Sequence, residues 1–217
     1  MRQEFLKRII SSLVLISIII FFIIMGNIFL NLFILFCFLI SLYEWHMMKK
    51  NNIYYVIGII FLFLSFYSVF RLTNFEADYS YFLFILLICI STDIGGYIFG
   101  KFFKGKKLTK ISPNKTYSGM LGSFILSVIL SYLFLELTTI FPYLKFNSIN
   151  TLIFILLISL ISQVGDIIIS YFKRLSKIKD TGKIIPGHGG LLDRIDGMIF
   201  AFPFSYLTFK INIFQYF

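Results

Sequence analysis

Charged residues are scarce in this chain, and those present are mostly basic. Of its 217 residues, 14% are charged and 59% are hydrophobic, with ten acidic residues against twenty Lys and Arg. A soluble domain is typically about 45–50% apolar. Here the excess forms long uninterrupted runs, and the mean hydropathy is +0.90. This pattern is typical of a polytopic membrane protein and leaves no room for a separate soluble domain.

Cysteine is also rare, which argues against a disulfide framework or a cysteine metal site. Cys37 and Cys89 both lie within apolar runs, and we interpret them as small buried hydrophobes. Internal repeats and low-complexity tails are lacking as well. The first apolar run has no obvious small-residue cleavage site, so we expect a span rather than a cleaved signal peptide.

The apolar runs predict seven transmembrane helices, each close to the roughly 20 residues that cross a bilayer. The predicted spans are 9–25, 28–45, 53–70, 79–100, 120–141, 151–172 and 191–209. We therefore expect an all-α polytopic membrane protein with a single membrane domain over residues 1–217. We expect its N-terminal spans in 1–78, and the part that carries most of the charged residues in 79–212. Pro203 predicts a kink in the seventh span.

The positions of Lys and Arg predict the orientation in the membrane. If the N-terminus is cytoplasmic, seventeen of the twenty fall on the cytoplasmic side and three on the other, as the positive-inside rule requires. The two sizeable loops, 101–119 and 173–190, then both face the cytoplasm. This bias explains the net charge of +10 more simply than nucleic-acid binding does, so no nucleic-acid partner is expected.

Four aspartates lie within or at the edge of apolar spans, where a charge costs roughly 2.5–3.5 kcal/mol. Asp93 and Asp166 lie inside predicted spans, and Asp193 and Asp196 are three residues apart at the start of the last one. On one helix, that spacing places the last two on the same face. Each aspartate could simply pair with a nearby Lys or Arg. Four at a similar depth favour a cation site, and oxygen-only ligands favour Mg²⁺.

Two glutamates, Glu44 and Glu136, lie near the ends of apolar spans. Side chains at such positions commonly reach the interface or cap a helix. The sequence therefore gives both of them little functional weight.

A glycine-rich turn, Pro186-Gly187-His188-Gly189-Gly190, precedes the last predicted span. Exposed backbone N–H groups in such a turn, with a helix start behind them, can bind an anion. Alone, the turn would more often be a simple loop, but six basic residues in the stretch 165–196 favour a phosphate site. For His188, phosphate binding, acid catalysis and a plain turn position all stay open.

The other loop, 101–119, carries a second basic cluster around Lys115. This charge could serve only orientation and attraction to anionic lipid head groups. Ser112 and Thr116 on either side of Lys115 add donors of the kind that hold a phosphate. Together, the loops and carboxylates indicate a membrane enzyme with a cytoplasmic polyphosphate site.

Residues 170–196, SYFKRLSKIKDTGKIIPGHGGLLDRID, resemble the signature of the phosphatidate cytidylyltransferases (CDP-diacylglycerol synthases). The segments DIGGY at 93–97 and SPNKT at 112–116 resemble two further blocks of that family, in the expected order. Two positions depart from the pattern, because family members often carry Glu where this chain has Ile169 and an acid where it has Ser118. No carboxylate role is expected there.

The resemblance implies the Mg²⁺-dependent reaction of CTP with phosphatidic acid, which gives CDP-diacylglycerol and pyrophosphate in phospholipid biosynthesis. The partners would be these substrates and membrane lipids, and the location a bacterial cytoplasmic (inner) membrane. A second, monovalent cation and a homodimer are left open.

The resemblance also implies which residues form the site. The expected catalytic residues are Lys173, Arg174, Lys179, Asp180, His188, Asp193, Arg194 and Asp196. The expected metal ligands are Asp93, Asp166, Asp193 and Asp196. The expected binding residues for CTP or lipid phosphate are Ser112, Lys115, Thr116, Gly189 and Gly190.

Two classes of alternative remain. One is a related CTP-dependent lipid kinase, or a cytidylyltransferase for another lipid phosphate, and the signature argues against the kinase. The other is an ion-coupled transporter that uses the intramembrane carboxylates as an ion path. A transporter would leave the glycine-rich turn and the basic residues beside it without a purpose.

Overall fold

The computed structural model describes residues 2–48, 52–74, 79–109, 111–137, 148–187 and 189–211. Within them the chain is helical, and no β-strand occurs in this part of the chain. Two isolated bridges join Lys107 to Thr116 and Ile185 to Gly189. The predicted all-α class is therefore confirmed.

The helices are α1 (Arg2–Met25), α2 (Asn27–Met47), α3 (Asn52–Thr73), α4 (Ser80–Phe103), α5 (Tyr117–Leu137), α6 (Ser148–Leu175), α7 (Leu192–Ile195) and α8 (Met198–Lys210).

Among the residues that the structure describes, five helices are long and apolar enough to cross a membrane. These spans are Ile28–Met47, Ile53–Thr73, Ser80–Phe103, Tyr117–Glu136 and Ile149–Leu175. The described apolar part of α1 is shorter, and α8 has 13 residues. At 1.5 Å per residue, α8 extends about 20 Å, less than the hydrocarbon core of roughly 30 Å. The protein is thus a multi-pass membrane protein, and the count of seven spans stays a prediction.

The outward-facing side chains of these helices are large and apolar. In α3, Ile53, Ile57 and Phe63 expose 65%, 56% and 62% of their surface. A water-soluble monomer rarely exposes contiguous apolar patches of this kind. Lipid tails are as apolar as these side chains, so a bilayer accepts them without cost.

The chain forms two compact units. Unit 1 comprises residues 1–70 and 172–195, and unit 2 comprises residues 71–171 and 196–217. Unit 1 therefore combines the first helices with the end of α6, the glycine-rich turn and α7. Unit 2 contains α4, α5, most of α6, and α8.

In unit 1, Trp45 on α2 joins three helices and is 2% exposed. Its indole Nε1–H donates to the carbonyl of Tyr55 on α3 at 3.1 Å. The indole also packs edge-on against Phe172, near the end of α6, with ring centroids 5.5 Å apart. A Cβ on Gly58 would overlap the indole ring, so glycine permits this close packing. The contact places the end of α6, where Lys173 follows, beside α2.

In unit 2, glycines allow α4 and α5 to pack with their backbones close together. A Cβ on Gly95 would lie 2.5 Å from the carbonyl oxygen of Gly122, and one on Gly119 would lie 2.7 Å from that of Gly96. Small residues at helix interfaces favour association in membranes through close van der Waals contact. A hydrogen bond from Ser123 Oγ to the carbonyl of Thr92, 2.7 Å long, adds to the contact.

The predicted seventh span is not one helix. The structure has α7 and α8 separated by a turn at Asp196 and Gly197. Asp196 Oδ1 accepts the N–H of Gly197 at 2.9 Å, a local bond that competes with regular helix. Within unit 2, a Cβ on Gly197 would lie 2.7 Å from the carbonyl oxygen of Ser162. Helix α8 includes Pro203, and the kink there stays a prediction.

We predict that Gly95→Leu weakens unit 2, because the added side chain meets the α5 backbone, which cannot move aside cheaply. Such overpacking typically costs about 1–3 kcal/mol. Thermal unfolding in detergent should show a lower midpoint than for wild type. The control is Ile98→Ala on the same helix, at a residue that is 50% exposed. If both variants unfold at the same temperature, the close α4–α5 contact is not needed for stability.

Candidate active site

The first group of site residues lies in unit 1 and centres on an ion pair. Lys173 Nζ, at the end of α6, lies 2.8 Å from Asp193 Oδ1 on α7, and the two side chains are 10% and 4% exposed. The pairing that the sequence left open is thus present for Asp193. A buried pair of this kind needs further hydrogen bonds to offset its desolvation.

Asp193 receives these hydrogen bonds on its other oxygen. Oδ2 accepts the N–H of Thr181 at 2.7 Å, the N–H of Gly190 at 2.9 Å and the hydroxyl of Thr181 at 3.1 Å. Burial alone would raise the pKa of Asp193. The hydrogen bonds from Lys173, Gly190 and Thr181, together with the positive charge of Lys173, outweigh that effect and hold the pKa below its ordinary value.

Glu44, which we expected to have little functional weight, is part of the same group. It is 1% exposed. Its Oε2 accepts the hydroxyl of Thr181 and the N–H of Leu192, both at 2.8 Å, and its Oε1 accepts the N–H of Leu191 at 2.8 Å. Sequence reasoning missed this residue because Glu44 lies 137 positions before Thr181. The available signal was the cost of a carboxylate in an apolar run, the argument applied to the aspartates.

The glycine-rich turn binds protein carboxylates in this structure. The N–H of Gly190, expected to hold a phosphate, donates to Asp193. A Cβ on Gly190 would collide with Thr181 Oγ1 and with both carboxylate oxygens of Glu44. Gly189 has φ +88°, and a Cβ there would lie 2.7 Å from Asp193 Oδ2. These two glycines therefore let the turn close around carboxylates, and phosphate binding by them stays a prediction.

Asp196, another predicted residue of the signature, is buried at 8% exposure, whereas four others lie at the surface. Exposed here are Arg174, Lys179, Asp180 and Arg194. Arg174 Nη1 donates to the carbonyl of Ile178 at 3.1 Å and so closes the end of α6. The predicted role of His188 lies outside the described residues.

The second group of site residues lies in unit 2 around another ion pair. Lys115 Nζ lies 2.6 Å from Asp166 Oδ2 on α6 and donates to the carbonyl of Gln163 at 3.3 Å. Ser170 Oγ donates to Asp166 Oδ1 at 3.2 Å. The structure therefore brings Lys115 together with Asp166, which the sequence had assigned to separate phosphate and metal sites.

Near Lys115, the predicted binding residues Ser112 and Thr116 shape the loop. Thr116 Oγ1 accepts the N–H of Gly119 at 3.1 Å, as an N-cap of α5 does. The N–H of Ser112 donates to Thr109 Oγ1 at 3.1 Å, and its carbonyl accepts the N–H of Lys115 at 3.1 Å. The loop itself is shorter than the predicted 101–119, because α4 continues to Phe103 and α5 begins at Tyr117.

The two positions that depart from the family pattern have ordinary structural roles. Ile169 is buried, with 2% exposure. Ser118 Oγ accepts the N–H of Gly105 at 3.3 Å and hydrogen-bonds with Thr116 Oγ1 at 3.0 Å.

Metal binding by the four predicted aspartates stays a prediction. Asp193 lies in α7 and Asp196 in the turn after it, so the expectation that one helix face carries both is wrong. Asp93 is exposed on α4. Among the described residues, no three Asp, Glu, His or Cys side chains group closely enough to hold an ion by themselves. Mg²⁺ commonly uses one or two carboxylates and completes its shell with water and substrate phosphates. Asp166 in unit 2 and Asp193 in unit 1 already accept hydrogen bonds or ion pairs on both oxygens, and metal binding by either stays a prediction.

Comparison with known proteins decides the family. The profile of the cytidylyltransferase family matches residues 50–212. The chain belongs to the cytidylyltransferase family. Family membership makes it a nucleotidyltransferase. The matched range contains both basic loops and both ion pairs, whereas Glu44 lies outside it.

Three bacterial proteins of known name align with more than half of this chain. A Rickettsia typhi protein named phosphatidate cytidylyltransferase is 37% identical over 98% of this chain and 94% of its own length. A Rickettsia prowazekii protein of the same name is 35% identical over the same shares. A Bacillus subtilis phosphatidate cytidylyltransferase is 38% identical over 58% of this chain and 46% of its own length.

We predict that the Lys173–Asp193 pair adds to the pH dependence of stability. A carboxylate with a depressed folded-state pKa stabilises the fold above its unfolded pKa of about 3.9, and this contribution is lost as the pH falls further through the folded pKa. The unfolding midpoint of wild type should therefore drop between pH 6 and pH 3. Asp193→Asn should start lower at pH 6 and drop less.

The matched control is Glu136→Gln, which changes an exposed carboxylate and should keep the wild-type drop. An equal drop in Asp193→Asn and wild type would show that the pair does not favour the ionised carboxylate.

Proposed function

We propose that this protein transfers CMP from CTP to phosphatidic acid, giving CDP-diacylglycerol and pyrophosphate for phospholipid biosynthesis. The observation that carries the proposal is the ordered signature segment, in which Asp193 on α7 holds Lys173 of α6 at 2.8 Å. Family membership and relatives of nearly equal length that carry this name support the same reaction.

The chemistry does not require a strong general base. A phosphate monoester has a second pKa near 6, so at pH 7 the phosphate of phosphatidic acid is largely a dianion. One of its oxygens attacks the α-phosphorus of CTP. The bond from that phosphorus to the α,β-bridging oxygen breaks, and pyrophosphate leaves with the electron pair. The main obstacles are repulsion between anions and alignment for in-line attack, so catalysis rests on positioning and electrostatics.

Fixed cations are the groups that this chemistry needs. Lys173 would neutralise phosphate charge from a position set by Asp193. Lys115 has three ammonium donors, and its contacts with Asp166 and Gln163 leave one for a phosphate.

The exposed cations Arg174, Lys179 and Arg194 would bind the triphosphate. In the same proposal Ser112, Thr116, Asp180, His188, Gly189 and Gly190 complete the substrate site.

For the metal, the proposed ligands are Asp93, Asp166, Asp193 and Asp196, with one or two of them binding a given ion. Bound Mg²⁺ would supply positive charge at the phosphate oxygens and help to orient the triphosphate. Oxygen-only donors suit this hard cation. A second, monovalent cation belongs to the same proposal.

The proposed setting is a bacterial cytoplasmic membrane, with the N-terminus and both basic loops on the cytoplasmic side. The bias of Lys and Arg supports this orientation. In this arrangement the predicted spans 9–25 and 191–209 complete the seven. CTP is a cytoplasmic nucleotide, so the orientation also places the loops where the substrate is found. The homodimer stays a prediction.

We predict that radiolabel from CTP reaches lipid only from the α-phosphate. Purified protein in vesicles would be given phosphatidic acid, Mg²⁺ and CTP labelled at either the α or the γ position. The α-label should enter the lipid phase while the γ-label appears in pyrophosphate, and EDTA should stop both. Removal of Lys173 by Lys173→Met should lower the rate at least about 100-fold, because it also leaves Asp193 as a buried unpaired charge.

The matched control is Lys183→Met, at an exposed residue of the same segment, which should retain activity. Entry of γ-label into lipid, with CDP released from a lipid alcohol, would make the enzyme a kinase. Movement of neither label with any lipid, in protein shown to be folded, would contradict the enzyme proposal.

We also predict that Lys115→Met lowers kcat/KM by about 10- to 100-fold, since a hydrogen bond to a charged group is worth about 1.5–3 kcal/mol. Initial rates at varied CTP and phosphatidic acid would show which substrate loses affinity. Lys106→Met, at an exposed residue of the same loop, serves as the control. Equal losses in both variants would indicate a general charge effect rather than a specific contact.

A further inference from the structure

Glu44 is the most deeply buried acidic side chain of unit 1 for which the structure gives contacts. It lies on α2, three residues before the helix ends at Met47, and is 1% exposed. A buried carboxylate is costly unless its oxygens receive hydrogen bonds. All three of the hydrogen bonds described above come from one segment, residues 181–192.

The contact is close enough to require glycine around it. A Cβ on Gly182 would lie 2.7 Å from Glu44 Oε1, and one on Gly190 would collide with both oxygens. Two backbone N–H groups, those of Leu191 and Leu192, each donate to a separate oxygen at 2.8 Å. The carboxylate therefore sets the backbone that leads directly into Asp193.

A shared hydroxyl links Glu44 to the Lys173–Asp193 pair. Thr181 Oγ1 lies 2.8 Å from Glu44 Oε2 and 3.1 Å from Asp193 Oδ2. A hydroxyl carries one proton and donates it to one acceptor at a time. The two carboxylates thus compete for the same donor, and Glu44 holds it at the shorter distance.

We propose that Glu44 is a positioning residue for CMP transfer, acting through Thr181 and the backbone of residues 190–192 on the placement of Asp193. This inference rests on the proposed function. A carboxylate is needed at this position because both oxygens accept. In Gln one oxygen becomes an NH₂ group, which would face either the N–H of Leu191 or the donors at Oε2.

The first test measures the segment itself and needs no activity. Amide hydrogen exchange of wild type and Glu44→Gln would be compared at Leu191 and Leu192. Exchange should be at least about tenfold faster in the variant at one of these two amides, the one whose acceptor oxygen is replaced by the NH₂ group. Glu136→Gln should exchange there as wild type does. Unchanged exchange in Glu44→Gln would overturn the proposal.

The second test separates positioning from mere folding. Among folded molecules, counted by gel filtration, Glu44→Gln should lower kcat by about 10- to 100-fold while changing the KM for CTP less. A purely structural role would reduce the folded fraction and leave kcat per folded molecule unchanged, which would contradict the proposal.

Thr181 provides a second pair of variants if Glu44→Gln folds poorly. Thr181→Val keeps the shape but removes the shared donor, and it should lose turnover. Thr181→Ser restores the hydroxyl and should recover most of what the valine variant loses. Equal activity of these two variants would overturn the link through the hydroxyl. If wild type itself transfers no CMP, the proposed function fails, whereas the exchange experiment still decides whether Glu44 holds the segment.

Discussion

The candidate site in unit 1 depends on one constraint: a carboxylate removed from water must be surrounded by donors. Burying an ion costs several kcal/mol even after relaxation, and a hydrogen bond to a charged group returns about 1.5–3 kcal/mol. Glu44 and Asp193 meet this requirement by collecting donors from the turn before α7 and from Lys173. The net gain in stability is small, but loss of any partner is expensive. The constraint therefore specifies one conformation of a loop that contains several glycines.

In both units, glycine allows the backbone to approach neighbouring groups more closely than a side chain would permit. In the turn, Gly190 lets backbone and carboxylates come within hydrogen-bonding distance. In the membrane helices, Gly95 and Gly119 let α4 and α5 pack backbone against backbone, where the hydrophobic effect gives no driving force between helices. Lys115 lies in the loop that joins α4 and α5, and the packing of these helices helps to place it beside Asp166.

Prediction from the sequence succeeded where the signal is local. The predicted spans 79–100 and 151–172 match α4 and α6 within about three residues at each end, the usual uncertainty of helix boundaries. It failed at 191–209, because an apolar run cannot show that Asp196 bonds to the next backbone N–H and that Gly197 packs against Ser162. Glu44 was set aside for a related reason, since a carboxylate near a helix end looks like one that reaches water.

By itself the sequence determined the class of protein, because uninterrupted apolar runs of about 20 residues indicate membrane-spanning helices, in which the backbone groups bond within the helix. It also determined the family, through the residue types at 170–196. Only the tertiary structure decided which charges meet: Lys173 with Asp193, and Lys115 with Asp166. The same holds for Glu44, whose partners lie more than 130 residues away along the chain. Contacts over such separations follow from how helices pack, and local sequence patterns do not encode that packing.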